Sequence, residues 1–93
     1  MILGTLTWDL HLEGCLSLKE RRSVLQPLKQ ALRRQLNVSV AEVDPQDLWQ
    51  RATLACAAVG SDRSVVEETL RTADRMVEEA NGVRIMDTVA QYR

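Results

Sequence analysis

Ile2-Leu3-Gly4-Thr5-Leu6-Thr7-Trp8-Asp9-Leu10-His11-Leu12 is the stretch that decides the fold of this 93-residue chain. Ile2, Leu6, Trp8, Leu10 and Leu12 alternate with Thr5, Thr7, Asp9, His11 and then Glu13. A period of two sends successive side chains to opposite faces, so the segment reads as a strand with one apolar and one polar face. Gly4 is the gap on the apolar face, and it suits the close approach of a helix. Gly14 ends the strand.

Downstream, Ser17-Leu18-Lys19-Glu20 is a capping box. The Ser17 hydroxyl accepts from the Glu20 N–H, and the Glu20 carboxylate reaches back to Ser17. The helix it starts is expected from about Leu18 to Leu36, with Leu18, Leu25, Leu28, Leu32 and Leu36 on one stripe. Pro27 removes one helical hydrogen bond, but the leucines continue in phase through it, which predicts a kink and not a break. Val38 and Val40, with Val43 as a candidate third member, make a second strand. Asp44-Pro45-Gln46-Asp47 reads as a turn. Residues 51–59 form a third strand, apolar on both faces and therefore central. Ser61 or Asp62 caps a second helix with Glu67 and Glu68 early in it. Its buried stripe is Val66, Leu70, Ala73, Val77 and Ala80, flanked by Met76, and Asn81-Gly82 ends it. In the last strand Val83 and Ile85, then Asp87 or Val89, alternate with Arg84, Met86 and Thr88.

The order βαββαβ interleaves two right-handed β-α-β units in one antiparallel sheet of spatial order 4-1-3-2. This is the ferredoxin-like arrangement, an α+β sandwich with both helices on one sheet face and the other face open. The open face is expected to carry Thr5, Thr7, Asp9 and His11, Thr53, Ala55, Ala57 and Val59, and Arg84, Met86 and Thr88.

Composition narrows the function. A chain of 93 residues holds one domain, 1–93. Hydrophobic residues at 45% and charged residues at 27% fit a folded globular protein and argue against disorder. No apolar run approaches a membrane span, and the N-terminus lacks the pattern of a secretory signal. Two cysteines are too few for a disulfide framework and suit a reducing cytosol. A net charge of −1 excludes a globally basic nucleic-acid binder, though not a locally basic one.

Charge is nevertheless unevenly laid out. Between Ser17 and Leu36, six basic residues (Lys19, Arg21, Arg22, Lys29, Arg33, Arg34) face one acid, Glu20. The second helix carries six acids against Arg63, Arg71 and Arg75. Lys19, Arg22, Lys29 and Arg33 form a stripe opposite the leucines that is able to follow an RNA backbone, arginine offering paired donors to phosphate. The same stripe also suits a solvated helix face with some arginines paired to acids. Base stacking on sheet aromatics is disfavoured, because the open face offers threonines and alanines and the chain has no Phe.

Asp9, His11 and Glu13 point the same way along strand one, as a metal or proton-transfer row would. Residues two apart in a strand are separated by about 7 Å and do not converge, so a solvated face paired to Arg84 or Arg51 is the simpler reading. Cys15 precedes a helix N-terminus but has no base partner, and Cys56 is a core residue. No catalytic residue, metal site or cofactor is expected. Trp49, beside the turn, together with Ala55, Ala57, Val59 and Met86 on the open face, is a candidate partner interface, two such faces packing in a two-fold homodimer.

The segments Ser17–Leu25 and Asn37–Asp44, the latter continuing through Gln46–Ala52, resemble the YlxP-like family of small bacterial proteins of unknown function. The resemblance runs in order over nearly the whole chain. It implies a ferredoxin-like fold, in agreement with the pattern above, and a cytoplasmic protein. The family's genes typically lie beside those for translation-initiation and ribosome-maturation factors, which implies ribosome-linked work by association. No catalytic residues are established for that family. Together these expectations describe a non-enzymatic adaptor near the translation apparatus, with rRNA or ribosomal proteins as partners of the first helix. A homodimeric or protein-binding module using the open sheet and Trp49 is the alternative, and a metal or enzyme site around Asp9 and His11 is the weakest reading.

Overall fold

The computed structural model describes residues 1–43 and 49–93. The expected Asp44–Asp47 turn lies outside the described residues. The elements are β1 (Ile2–Leu12), α1 (Leu18–Gln35), β2 (Ser39–Val43), β3 (Arg51–Gly60), α2 (Arg63–Glu78) and β4 (Val83–Tyr92). All strand pairs are antiparallel, and the sheet order β2-β3-β1-β4 is the one expected from the element sequence.

The period-two reading of β1 holds. Leu6 pairs with Cys56, Trp8 with Leu54 and Leu10 with Ala52, so these residues share one face. That face is the core: Trp8, Leu10, Leu12 and Leu54 are fully buried. Leu25, Leu28 and Leu32 of α1 and Val66, Leu70, Ala73 and Val77 of α2 join the same cluster, which places both helices on that side. Trp8 also donates from Nε1 to Asp74 Oδ1 at 2.9 Å, tying β1 to α2 by a polar contact at the edge of the core. Gly4 marks a close approach, since a Cβ there would stand 2.7 Å from Val66 Cγ1 and 2.8 Å from Leu70 Cδ1.

Both helices start on their side-chain caps. Ser17 Oγ accepts from Glu20 N at 3.1 Å, but the Glu20 carboxylate reaches one residue further back than expected, to Leu16 N at 2.6 Å. Asp62, rather than Ser61, caps α2 by accepting from Ser64 N. Glu67 lies one turn into α2 and pairs with Arg63 instead of sitting in the first turn. α1 runs unbroken through Pro27, which is exposed, so its ring disturbs no packing while Leu25 and Leu28 on either side remain buried. Leu18 departs from the expected stripe and is exposed at the start of α1. α2 ends at Glu78 with Glu79 as its C-cap, three residues short of Gly82, so the left-handed φ of 80° at Gly82 serves the turn into β4 and not the helix end expected of it.

β4 differs from expectation in phase. Val83 and Ile85 pair with Leu12 and Leu10 on the core side, and the register then shifts between Asp9 and Leu10. Met86 is the extra residue of the resulting bulge. Beyond it Asp87 pairs with Asp9 and Val89 with Thr7 on the open face, while Thr88 pairs with Trp8 and faces the helices. Thr88 is thus removed from the open face, and Asp87 and Val89 take its place. Among the described residues no helix is long and apolar enough to cross a membrane.

Candidate interaction surfaces

Cross-strand register sets out the uncovered face row by row. Val59 lies beside Leu3, and Ala57 lies between Ser39 and Thr5, with Gln91 beyond. Ala55 lies between Ala41 and Thr7, with Val89 beyond. Towards the other end come Val43, Thr53, Asp9 and Asp87, then Arg51, His11 and Arg84. The face therefore divides into a flat field of small and apolar side chains and a charged end. Val59 is 55% exposed and Val89 48%, large values for apolar side chains. Leu3, Ala41 and Val89 belong to this field in addition to the expected Thr5, Thr7, Ala55, Ala57 and Val59, while the expected Met86 is the unpaired residue of the β4 bulge. Trp49 is 47% exposed just before β3.

Two ion pairs form at the charged end, and Asp87 is in neither. Arg51 Nη2 holds Asp9 Oδ2 at 2.7 Å, and Arg84 Nε lies 3.2 Å from Glu13 Oε1. His11 stands in register between Arg51 and Arg84, so a divalent cation placed there would meet two guanidinium groups. No group of three His, Cys, Asp or Glu suited to a metal occurs among the described residues.

The six cations of α1 divide into two sets. Arg21 Nη2 and Lys29 Nζ grip Glu42 of β2 at 2.7 and 3.3 Å, and Arg33 donates to the Val40 carbonyl at 2.8 Å. Lys29 is buried and Arg21 half-buried. Instead of a row of free charge opposite the leucines, these three fasten β2 to α1. The physical reason is the phase of β2: Val40 and Glu42 point to the helix side, where a carboxylate needs cations. Lys19, Arg22 and Arg34 remain exposed without an ion pair among the described residues. Arg22 and Arg34 stand about 18 Å apart along the helix axis.

Both cysteines are buried. Loss of solvation pushes the Cys56 thiol up from 9.0 to about 11, with a smaller lowering from its hydrogen bond to the Leu6 backbone. The folded protein keeps a proton that the unfolded chain releases. Stability from this site is therefore intact below pH 9 and lost between pH 9 and about 11. In urea titrations the unfolding midpoint is expected to fall across that window, and to fall less in Cys56→Ala.

A groove of about 710 Å³ runs between α1 and α2, lined by Val24, Pro27, Leu28, Ala31, Met76 and Ala80 among others. Its polar side chains, Ser23, Gln35, Glu79 and Asn81, include no cation and no cysteine or histidine.

Comparison with known proteins adds three findings. The profile of a family described as protein of unknown function (DUF503) matches residues 3–90. The chain is 42% identical over 55 residues to the uncharacterized protein YlxP of Bacillus subtilis (strain 168), a match covering 59% of this chain and 60% of that protein's length. The de novo designed protein Ferredog-Diesel is similar in structure, with a TM-score of 0.50 over 96% of this chain and 83% of that one, at 11% identity. That last likeness is one of fold.

Proposed function

The chain belongs to the DUF503 family of proteins of unknown function, and from its surfaces we propose that it is a non-enzymatic adaptor that docks a protein partner on the uncovered face of its sheet. The observation that carries this reading is the flat field of Leu3, Thr5, Thr7, Ala41, Ala55, Ala57, Val59 and Val89, which no described element covers. Small side chains on a flat sheet let a partner backbone approach closely, and contiguous exposed apolar surface marks interaction sites. Several of the groups that chemistry would need are in structural service. Asp9 and Glu13 hold arginines, and Cys56 is buried with a raised thiol.

Contact with RNA through α1, in rRNA or a ribosomal particle, is the second reading, favoured by the exposed Lys19, Arg22 and Arg34. Three free cations support only weak, salt-sensitive binding. One experiment separates the two. The tagged chain is recovered from lysate with and without nuclease. Nuclease-resistant association that disappears in Ala57→Arg and survives in Arg22→Glu is the result expected. Nuclease-sensitive association lost in Arg22→Glu and kept in Ala57→Arg would replace the first reading with the second.

A further inference from the structure

β4 forms an outer edge of the sheet, and no strand pairs with its far side among the described residues. Its backbone orientation follows from one pair: Leu3 and Arg93 exchange both hydrogen bonds, each at 2.7 Å. Antiparallel ladders alternate bonded and non-bonded pairs, and the register is unbroken from Gly4↔Tyr92 to Asp9↔Asp87. Gln91, Val89 and Asp87 therefore turn their N–H and C=O groups inward to β1. Thr88, Ala90 and Tyr92 direct theirs off the edge. Monomeric sheets usually blunt such an edge with lysine, proline or a bulge. β4 has no lysine and no proline, and its bulge at Met86 ends before this stretch.

Two charges flank the exposed edge. Asp87 and Arg93 both lie on the uncovered face, one at each end of the stretch, and both are exposed. Asp87 stands beside a like charge, Asp9, whose own cation is Arg51. Arg84 is taken by Glu13. Among the described residues neither Asp87 nor Arg93 has an ion-pair partner.

We propose that two copies of this chain join along β4, antiparallel about a two-fold axis through Ala90, into one continuous eight-stranded sheet. In that register Ala90 meets Ala90 of the second copy and Thr88 meets Tyr92. All the outward backbone groups of the stretch are satisfied, with two hydrogen bonds for each of the three pairs. Asp87 meets Arg93 of the second copy, and symmetry makes the ion pair twice. An axis through Val89 also allows a ladder, but it sets Asp87 against Gln91 and forms neither ion pair. Charge thus selects the register. The contact uses the sheet edge and leaves the uncovered face free, so it stands apart from the docking reading above. It extends that face to a width of roughly 38 Å at about 4.8 Å per strand.

Sedimentation of the full chain across a range of concentrations tests the proposal. The expected result is a species of twice 10.5 kDa that gives way to monomer on dilution. Ala90→Pro removes only a donor that points off the sheet, so it should abolish the dimer while the circular dichroism is kept. Asp87→Arg or Arg93→Asp alone should weaken association about tenfold or more, and the two together should restore it. Ala57→Arg should leave the dimer unchanged. A strict monomer at every concentration overturns the proposal. So does a dimer that is indifferent to the charge exchange or is lost in Ala57→Arg.

Discussion

Trp8→Ala is expected to destabilise the protein by about 3–5 kcal/mol, the usual cost of emptying an aromatic site in a packed core. Trp8 has 0% exposure in the middle of β1, with Leu54 beside it on β3 and Thr88 beside it on β4. A domain of this size has about 5–15 kcal/mol of stability in all, so the variant should melt some 15–30 °C lower. Trp8→Phe separates two contributions. It keeps most of the apolar volume and removes the N–H that meets Asp74 at 2.9 Å. Asp74 is only partly buried, so water is able to replace the lost donor and the cost should stay near 1 kcal/mol. Chemical denaturation of both variants checks the claim. A loss below about 1 kcal/mol for Trp8→Ala would mean that this face of β1 is not the core, and the assignment of the opposite face would fall with it.

That assignment is readable because β1 alternates without error from Thr5 to Leu12. The same regularity placed Leu25, Leu28 and Leu32, then Val66, Leu70, Ala73 and Val77, and the element order dictated the sheet order. β4 was not readable to the same degree. Its bulge shifts the phase at Met86, and a bulge depends on the pairing partner, here the Asp9/Leu10 step of β1, rather than on any local composition. Thr88 and Val89 exchanged faces for that reason alone. The capping box shows the same limit on a smaller scale, since Glu20 has both Leu16 and Ser17 within reach and only the loop path decides between them.

The interaction surfaces were half legible. Ala55, Ala57 and Val59 follow from the period of β3. Leu3 was available from the period of β1, because an odd-numbered leucine there has to face away from Trp8. The six cations of α1 are countable from the sequence, but the engagement of Arg21, Lys29 and Arg33 with β2 is not. Composition reports six cations on one helix, but only the neighbouring strand reveals how many are already engaged. The usable signal was Glu42. A charged residue in phase with Val40 on a helix-covered strand needs a cation, and α1 is the element beside it.

Glu42→Gln is accordingly expected to cost about 2–3 kcal/mol, below the 3–5 of a fully buried pair because the cluster is partly wet. The Glu42 side chain is 24% exposed and those of Arg21 and Lys29 are 12% and 11%. Neutralising the carboxylate leaves two cations that are mostly withdrawn from water. Arg21 Nε is already buried without a partner among the described residues. β2 has five residues and, among the described residues, pairs only with β3, so the loss should concentrate there, read as faster amide exchange at Val40 and Glu42 than in β1. Replacing the whole cluster by Arg21→Met, Lys29→Leu and Glu42→Leu should return most of the stability, since apolar packing of similar volume commonly matches a buried ion pair. The same single variant bears on RNA. Glu42→Gln leaves Arg21 and Lys29 without their carboxylate and adds one unit of positive charge beside α1. If α1 met phosphate, binding would strengthen; unchanged recovery of nucleic acid assigns these cations to holding β2 in place.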